Sequence, residues 1–568
     1  MVGGFSRKGK TLLSGVDPAG RADRTADAVS AADRTLYLCP SPLYGYGLEH
    51  LLARLSGFTN SAVLCVEADP ELFALSREYF PPALLDNPKL RLTSESGDGA
   101  LCALVRREWG PRFFRRVETV RFTGGWQLFP HVYDALEDSL RREIALDWGN
   151  AITLAKLGRR YIRNALSNLA LIPRFLSLDK ISFGGDPALI LGAGPSLDNS
   201  LDALQAHYGD TLKLPQTRSF RIICADTCLP VLKDRGITPD LAVVLESQHW
   251  NLDDFTGLSG WKVPVAFDLS ALPRSASALA GDVYLFFTPW TRLTIFERLE
   301  SAGLLPLRQP PLGSVGLSAV SIARCLTRGA IVCAGLDFSF TLDSFHARST
   351  PGHARLLRRQ NRFTGLFNAE AAFGAAVQKT SAKNGGAVFT NPALRNYRDL
   401  FEREFGADNG DASRFFDIDG SGLSLGIRTL SSEEAIKMLS SEYLAQRRKG
   451  AEIGSLFENG SLSSVPPCLR EIKFGIIEKL EIFIRGETDR LMLLRKLLTG
   501  EAPMDHASLD SLIDECDYLW AHFPDYAAAE RRPGKTELEA GSPSAISFLK
   551  RLRVEIDPFL RILKRVNG

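Results

Sequence analysis

The chain reads as an α/β protein built on parallel sheets, and three observations predict it. Short, wholly apolar runs recur, each closed by a polar or acidic residue, as in "VLCVE", "IICAD" and "AVVLE". Segments of about 8 to 15 residues with apolar positions at helical spacing separate them. Loops rich in Gly, Pro, Ser and Asp link each run to the next helix. This grammar predicts a small Rossmann-like α/β domain, a central doubly wound parallel sheet, and a helical carboxy-terminal domain.

Residues 1–33 are polar and rich in Gly, Ser, Ala, Arg and Asp, which predicts a flexible arm. Residues 34–131 form the first α/β domain. A strand at Leu36–Cys39 meets a Pro/Gly loop and a helix from Leu48, and Val63–Glu67 is a second strand. Asp69-Pro70 opens the next helix, with proline in its first turn, and "KLRLTS" and "VETVRFTG" add strands. Residues 132–180 read as a helical connector, with only Gly149 and Gly158 as weak breakers. In the central domain, 181–430, strands are expected at 188–191, 220–225, 241–245, 264–267, 283–287 and 330–335. Helices are expected at 196–206, 227–235, 291–300 and 315–328, then near 355–380 and 395–404. Residues 431–568 read as a helical domain with a Ser/Gly/Pro break at 459–467.

A chain of 568 residues exceeds one hydrophobic core. Its 68 basic and 66 acidic residues leave a net +2, so bulk charge argues for neither nucleic acid nor membrane, although a local basic cleft stays open. Nine cysteines lie mostly inside apolar runs, with no C-x-x-C pair. They read as reduced, buried thiols of a cytoplasmic protein. No run approaches the ~20 apolar residues of a membrane span, and the amino terminus lacks the apolar core of a signal peptide. None of the eight histidines pairs at metal-ligand spacing, so no metal site is read.

The chemistry concentrates at strand ends. "LILGAGPSLDNSLDAL" carries Gly192, Gly194, Pro195 and Ser196 between a strand and a helix, where glycines and a helix N-terminus suit a phosphate. Leu197 stands where a dinucleotide fingerprint needs a third small residue, and there is no Gly-Lys-Ser/Thr of a P-loop. The phosphate or sugar of another nucleotide is the expected ligand, and a plain tight turn is the alternative. Asp226 and Thr227 end the next strand, where Asp226 could equally cap its helix. Glu246 ends another, and Ser314 sits in a Gly-Ser loop opening a helix. Asp337 and His346 follow the last apolar strand as candidates for a general base.

Taken in order, "GAGPSLD", "ADTCLPVLKDRGITPDLAVVLES", "GSVGLSAVSIA", "CAGLDFSFTLDSFHARS" and "DIDGSGLSLGIRTL" resemble the motility-associated factor (Maf) family of bacterial flagellin glycosyltransferases. "LCPSPLYGYGLEHLL" and "LCVEADPEL" are similar to the amino-terminal region of its spirochaete branch. The family's central domain is in turn similar to bacterial sialyltransferases and to an archaeal pterin diphosphokinase. The resemblance implies transfer of a pseudaminic- or legionaminic-type nonulosonic acid from its CMP donor to a Ser or Thr of flagellin, the partner protein. It implies donor binding by Gly192, Gly194, Pro195, Ser196, Asp226, Thr227, Glu246 and Ser314, and catalysis by His346 and Asp337. No cofactor is certain; a divalent Mg or Mn ion stays open. Ala193 replaces the Asn common in the sialyltransferases, Glu246 replaces an Asp, and Phe345 precedes His346 in place of a Thr. A pterin diphosphokinase on the same scaffold and a non-catalytic flagellin-binding assembly factor are the alternatives. A methyltransferase reading of "VLCVEADPELF" lacks the glycine-rich loop after the first strand, so the first domain is expected to be accessory.

Overall fold

A computed structural model describes residues 5–440 apart from 8, 111–112, 364, 366–373, 375 and 408, and residues 469–567 apart from 504 and 528–530. Contacts divide the chain into two units: Met1–Arg159 with Leu519–Ala545, and Arg160–Tyr518 with Ile546–Gly568. By these contacts the described helices up to Tyr518 and from Ile546 group with the second unit, and Leu519–Ala545 with the first.

In the first unit, strands β1 (Phe5–Arg7) and β2 (Lys10–Leu13) form an antiparallel hairpin. Strands β3 (Thr35–Pro40), β4 (Ala62–Val66), β5 (Leu90–Thr93) and β6 (Arg116–Thr119) form a parallel sheet in the order β5-β4-β3-β6. Alternation along β3 builds a core on each face. Tyr37 and Cys39 pack with Ala22, Ala26, Leu48 and Leu51, while Leu36 and Leu38 pack with Leu101, Val105, Leu136 and Leu140. Residues 1–33, expected as a flexible arm, instead supply the hairpin and a helix, Pro18–Ala28. Leu12, Leu13, Ala22, Ala26 and Val29 fill core positions, whereas Val16 is exposed.

The hairpin lies where a ligand of a Rossmann-like sheet would enter. Gly124 donates its N–H to Leu12 O at 2.8 Å, and a Cβ on Gly125 would meet Ser41 Oγ at 2.0 Å. Glu67, at the end of β4, is buried. It accepts from Ser41 Oγ at 2.6 Å, Tyr133 OH at 3.2 Å and the Asp69 N–H at 3.2 Å. This carboxylate is satisfied from within the unit.

The second unit carries a ten-stranded sheet whose pairings are all parallel. Its strands are β7 (Leu176–Ser177), β8 (Ala188–Leu191), β9 (Arg221–Ala225), β10 (Leu241–Val244), β11 (Val265–Asp268), β12 (Val283–Phe287), β13 (Leu307–Arg308), β14 (Ile331–Ala334), β17 (Phe415–Ile418) and β18 (Arg428–Leu430). An antiparallel hairpin, β15 (Gln378–Ser381) and β16 (Ala387–Thr390), stands apart. The main path runs β13-β12-β11-β10-β9-β8-β14-β17-β18, with β7 beside β12. Strands β8 to β13 step one way, and β14, β17 and β18 lie on the other side of β8. The sheet therefore reverses direction between β8 and β14. Helix Val315–Leu326 is buried at every position from Gly316 to Ala323 and anchors the main core with Ile190, Ile223, Val243 and Cys333.

The expected central strands lie within a residue or so of those observed. Of the helix expected near 355–380, a helix covers Pro351–Arg359, residues 366–373 lie outside the described residues, and β15 begins at Gln378. The arginines and leucines of 355–359 carry helical spacing, but the polar run "QKTS" pairs as a strand. The break expected at 459–467 lies outside the described residues.

Candidate functional site

Where strand order reverses in an open parallel sheet, the loops at the carboxyl ends part and leave a crevice. Here those loops are 192–196 after β8 and 335–346 after β14. They cross at close range. Gly192 N–H donates to Ala334 O and Gly194 N–H to Gly335 O, both at 2.8 Å. A Cβ on Gly192 would stand 2.6 Å from Gly335 O, and one on Gly194 would stand 2.5 Å from Asp337 Oδ2. Gly335 itself holds φ +70°. The glycines are thus required by the crossing of two turns.

Asp337 completes this lock. Its carboxylate accepts the Ser196 N–H at 2.7 Å and the Ser196 Oγ–H at 2.5 Å, and only 2% of the residue is exposed. Burial raises its carboxyl above the ordinary range, with the Ser196 hydrogen bonds acting against that. Two readings change as a result. The Gly194 and Ser196 N–H groups are committed within the protein and are not offered to a phosphate. Asp337, a candidate base from sequence, has both oxygens engaged and holds the turn in place.

Sequence reasoning missed a second layer. Lys383, in the turn of the β15–β16 hairpin, is nearly fully buried and pairs with Asp417 at 2.6 Å. Its backbone N–H donates to Gly422 O at 2.9 Å. Burial pushes the Asp417 carboxyl up to about 7, with the ammonium of Lys383 opposing it. Lys383 falls in the Gly-, Ser-, Asn- and Asp-rich stretch between the helices expected near 355–380 and 395–404, and nothing in its spacing marks it.

His346 lies against the lock. The loop carrying it returns over the glycine turn, where Ala347 N–H donates to Ala193 O at 2.9 Å. Its ring packs against Phe345 with centroids 4.9 Å apart. Burial, then the charge of Arg355, lowers its pKa to about 4, so the imidazole is neutral at pH 7. No hydrogen bond joins it to Asp337.

Two further groups occupy the same edge of the sheet. Asp226, buried after β9, accepts the Thr227 N–H at 2.9 Å and Asn251 Nδ2–H at 2.6 Å. Asn251 also donates to Asp254 Oδ2 at 3.2 Å and accepts from Ser275 Oγ at 2.9 Å. Burial raises both carboxyls, and the charge of Asp226 raises Asp254 further. Asp226 therefore binds inward to Asn251 and caps only the adjacent N–H.

Glu246, half-buried after β10, accepts the Gln248 N–H at 2.9 Å. Burial and then the Glu246 charge raise the hydroxyl of Tyr161 to about 12, and the same two causes raise that of Tyr397. The Tyr397 ring stands 3.2 Å from where a Gly313 Cβ would be. Ser314, next along, caps helix Val315–Leu326 without using its side chain. Glu246, Tyr397 and Ser314 thus form one polar wall. Among the described residues, no group of three or more His, Cys, Asp or Glu side chains converges as a metal site.

Comparison with known proteins adds relatives to this geometry. The family model of 6-hydroxymethylpterin diphosphokinase MptE-like proteins matches residues 159–343, from the end of the long helix through Asp337. An uncharacterized protein of Treponema pallidum (strain Nichols) is 30% identical over 559 residues, covering 96% of this chain and 90% of its own. The chain belongs to the same family as this spirochaete protein. A second uncharacterized protein of that organism is 31% identical over 107 residues, 18% of this chain and 46% of its own. Among solved structures, the Maf glycosyltransferase of Magnetospirillum magneticum AMB-1 is similar at 16% identity and a TM-score of 0.49. It covers 98% of this chain and 84% of that one. No helix among the described residues is long and apolar enough to cross a membrane.

Proposed function

We propose that the second unit is a cytoplasmic glycosyltransferase that moves a nonulosonic acid from a CMP donor to a Ser or Thr hydroxyl of flagellin. The observation that carries this reading is the reversal of strand order between β8 and β14, where the family motifs converge with a neutral His346 on one side. The polar wall of Glu246, Tyr397 and Ser314 lines the same carboxyl edge.

In the proposed reaction the bond from the sugar's anomeric carbon to the donor phosphate oxygen breaks, and CMP leaves with the electron pair. The acceptor oxygen bonds to that carbon, and its proton passes to His346 and then to water. An imidazole that is neutral at pH 7 can receive that proton. The transition state is oxocarbenium-like, so a carboxylate near it is stabilising; Glu246 is the half-buried acid suited to that task. Ser314 and the tyrosine hydroxyls are donors for the departing phosphate. Asp337 acts through Ser196 as a positioning residue.

The test uses purified protein, unmodified flagellin and a CMP-nonulosonic acid, reading CMP release and flagellin mass together. A sugar-sized mass gain, abolished in His346→Ala while the fold persists, supports the reading; binding of flagellin without CMP release would favour an assembly factor. The MptE-like match to 159–343 favours one second reading, diphosphoryl transfer from ATP to a hydroxymethylpterin. AMP formation dependent on that pterin would establish it instead.

A further inference from the structure

The segment after β14 that carries His346 has a property the proposed chemistry does not use. From Ser344 to Phe363 its twenty residues hold five arginines (348, 355, 358, 359 and 362), no lysine, and neither Asp nor Glu. The whole chain nets only +2, so this is a concentrated patch of one sign. Its base is fixed on the site. Ala347 is hydrogen-bonded to Ala193, and the Arg348 N–H donates to Asp198 Oδ2 at 3.0 Å. Thr350 caps helix Pro351–Arg359, which buries none of its side chains.

The arginines beyond that base point outward. Arg355 pairs with Asp253 at 3.1 Å across an exposed surface. Arg358, Arg359 and Arg362 are exposed and have no acidic partner among the described residues. Leu357 and Phe363 lie among them, 46% and 86% exposed. Arginines in the last helical turn favour the helix dipole, which accounts for 358 and 359. Arg348 and Arg355 pair with Asp198 at 3.4 Å and Asp253 at 3.1 Å, and Arg362 stacks on the Phe363 ring. Neither the dipole nor these pairs account for the lack of any lysine, or for a nine-residue helix with no fully buried residue. Guanidinium forks select planar carboxylates in pairs, and exposed leucine and phenylalanine between them suit a polypeptide.

We infer that residues 348–363 form the docking surface for an acidic protein segment, the acceptor, and lead its hydroxyl toward His346. This rests on the transferase reading above, since the strap begins at the proposed base. The occupant is recognised by its chemistry: Asp or Glu side chains spaced among apolar ones.

The test compares the full-length parent with R358E/R359E/R362E and R358K/R359K/R362K. Direct binding of unmodified flagellin is measured without donor. Donor-only CMP release and acceptor KM are measured with it. The expected result is acceptor binding weakened about tenfold or more by the glutamates, less by the lysines, and weakened in the parent by added salt. Donor KM and donor-only CMP release stay at the parent level. Equal flagellin binding by parent and glutamate variant, or none by the parent, overturns the inference. A raised donor KM would assign the arginines to the nucleotide instead, and parent-only binding to phosphatidylglycerol vesicles would assign them to a membrane; both overturn it. Absence of CMP release from the parent under every condition defeats the transferase reading, and the binding comparison still decides the strap.

Discussion

Asp337 and His346 are nine positions apart, and their surroundings differ: Asp337 is hydrogen-bonded to Ser196, and His346 packs against Phe345. Asp337→Ala strips the Ser196 N–H and hydroxyl of their buried acceptor, which should cost about 1–3 kcal/mol of stability, read by denaturant titration. His346→Ala should unfold at nearly the parent denaturant concentration and lose turnover. The low pKa of His346 also fixes a pH profile. The imidazole is already neutral at pH 7, so the rate should be flat through neutral pH and fall only as pH drops toward about 4. Removing the positive charge in Arg355→Met should raise the His346 pKa and carry that acid limb to higher pH. An unmoved limb would mean that another group is the base. The imidazole's pKa is lower folded than unfolded, so its charging opposes folding as pH falls from about 6.5 toward about 4.

At the scale of elements, the two crossing turns and the β15–β16 hairpin hold the site. Gly335→Ala adds a Cβ at φ +70° that would sit 2.2 Å from Gly192 O, whereas Gly209→Ala at φ +53° meets nothing within 4 Å. The second should cost only the backbone penalty of its positive φ, and the first that penalty plus a clash with backbone, as the difference between their melting temperatures will show. Lys383→Met would leave the Asp417 carboxylate buried and unpaired, at about 3–5 kcal/mol. Asp417 has a raised folded pKa, so it favours folding while protonated and loses that contribution as pH rises through about 7. The cost of Lys383→Met should therefore be largest above neutral pH and shrink in mild acid, and adding Asp417→Asn should recover much of it. The hairpin was not legible because "QKTS" has no apolar alternation and its partner "AVFT" is four residues long. Strands such as Ala188–Leu191 were legible because every residue is apolar and buried on both faces.

At the scale of the whole molecule, thiol accessibility tests the described burial. Seven of the eight described cysteines are buried and Cys325 is exposed. Burial also raises the thiols of Cys65, Cys224, Cys228, Cys333 and Cys516. Under native conditions Cys325 should react promptly, the other seven described cysteines slowly, and Cys325→Ser should lower the prompt signal by one thiol, while denatured protein reports all nine thiols. The first unit makes a separate prediction. With its hairpin against Gly124 and Glu67 satisfied internally, it should bind no S-adenosylmethionine in calorimetry.

The sequence by itself determined the α/β class and six of the ten strands of the main sheet, β8 to β12 and β14. Apolar runs and their terminating residues encode these locally, within reach of one strand or one helical turn. Only the tertiary structure decided that the glycines serve a crossing of turns, that Asp337 is spent on Ser196, and that Lys383 lies buried against Asp417. It also decided that residues 5–28 belong to a core. Each of these depends on a contact between residues far apart in the chain, 141 positions in the case of Ser196 and Asp337. Spacing along the sequence carries no record of such contacts.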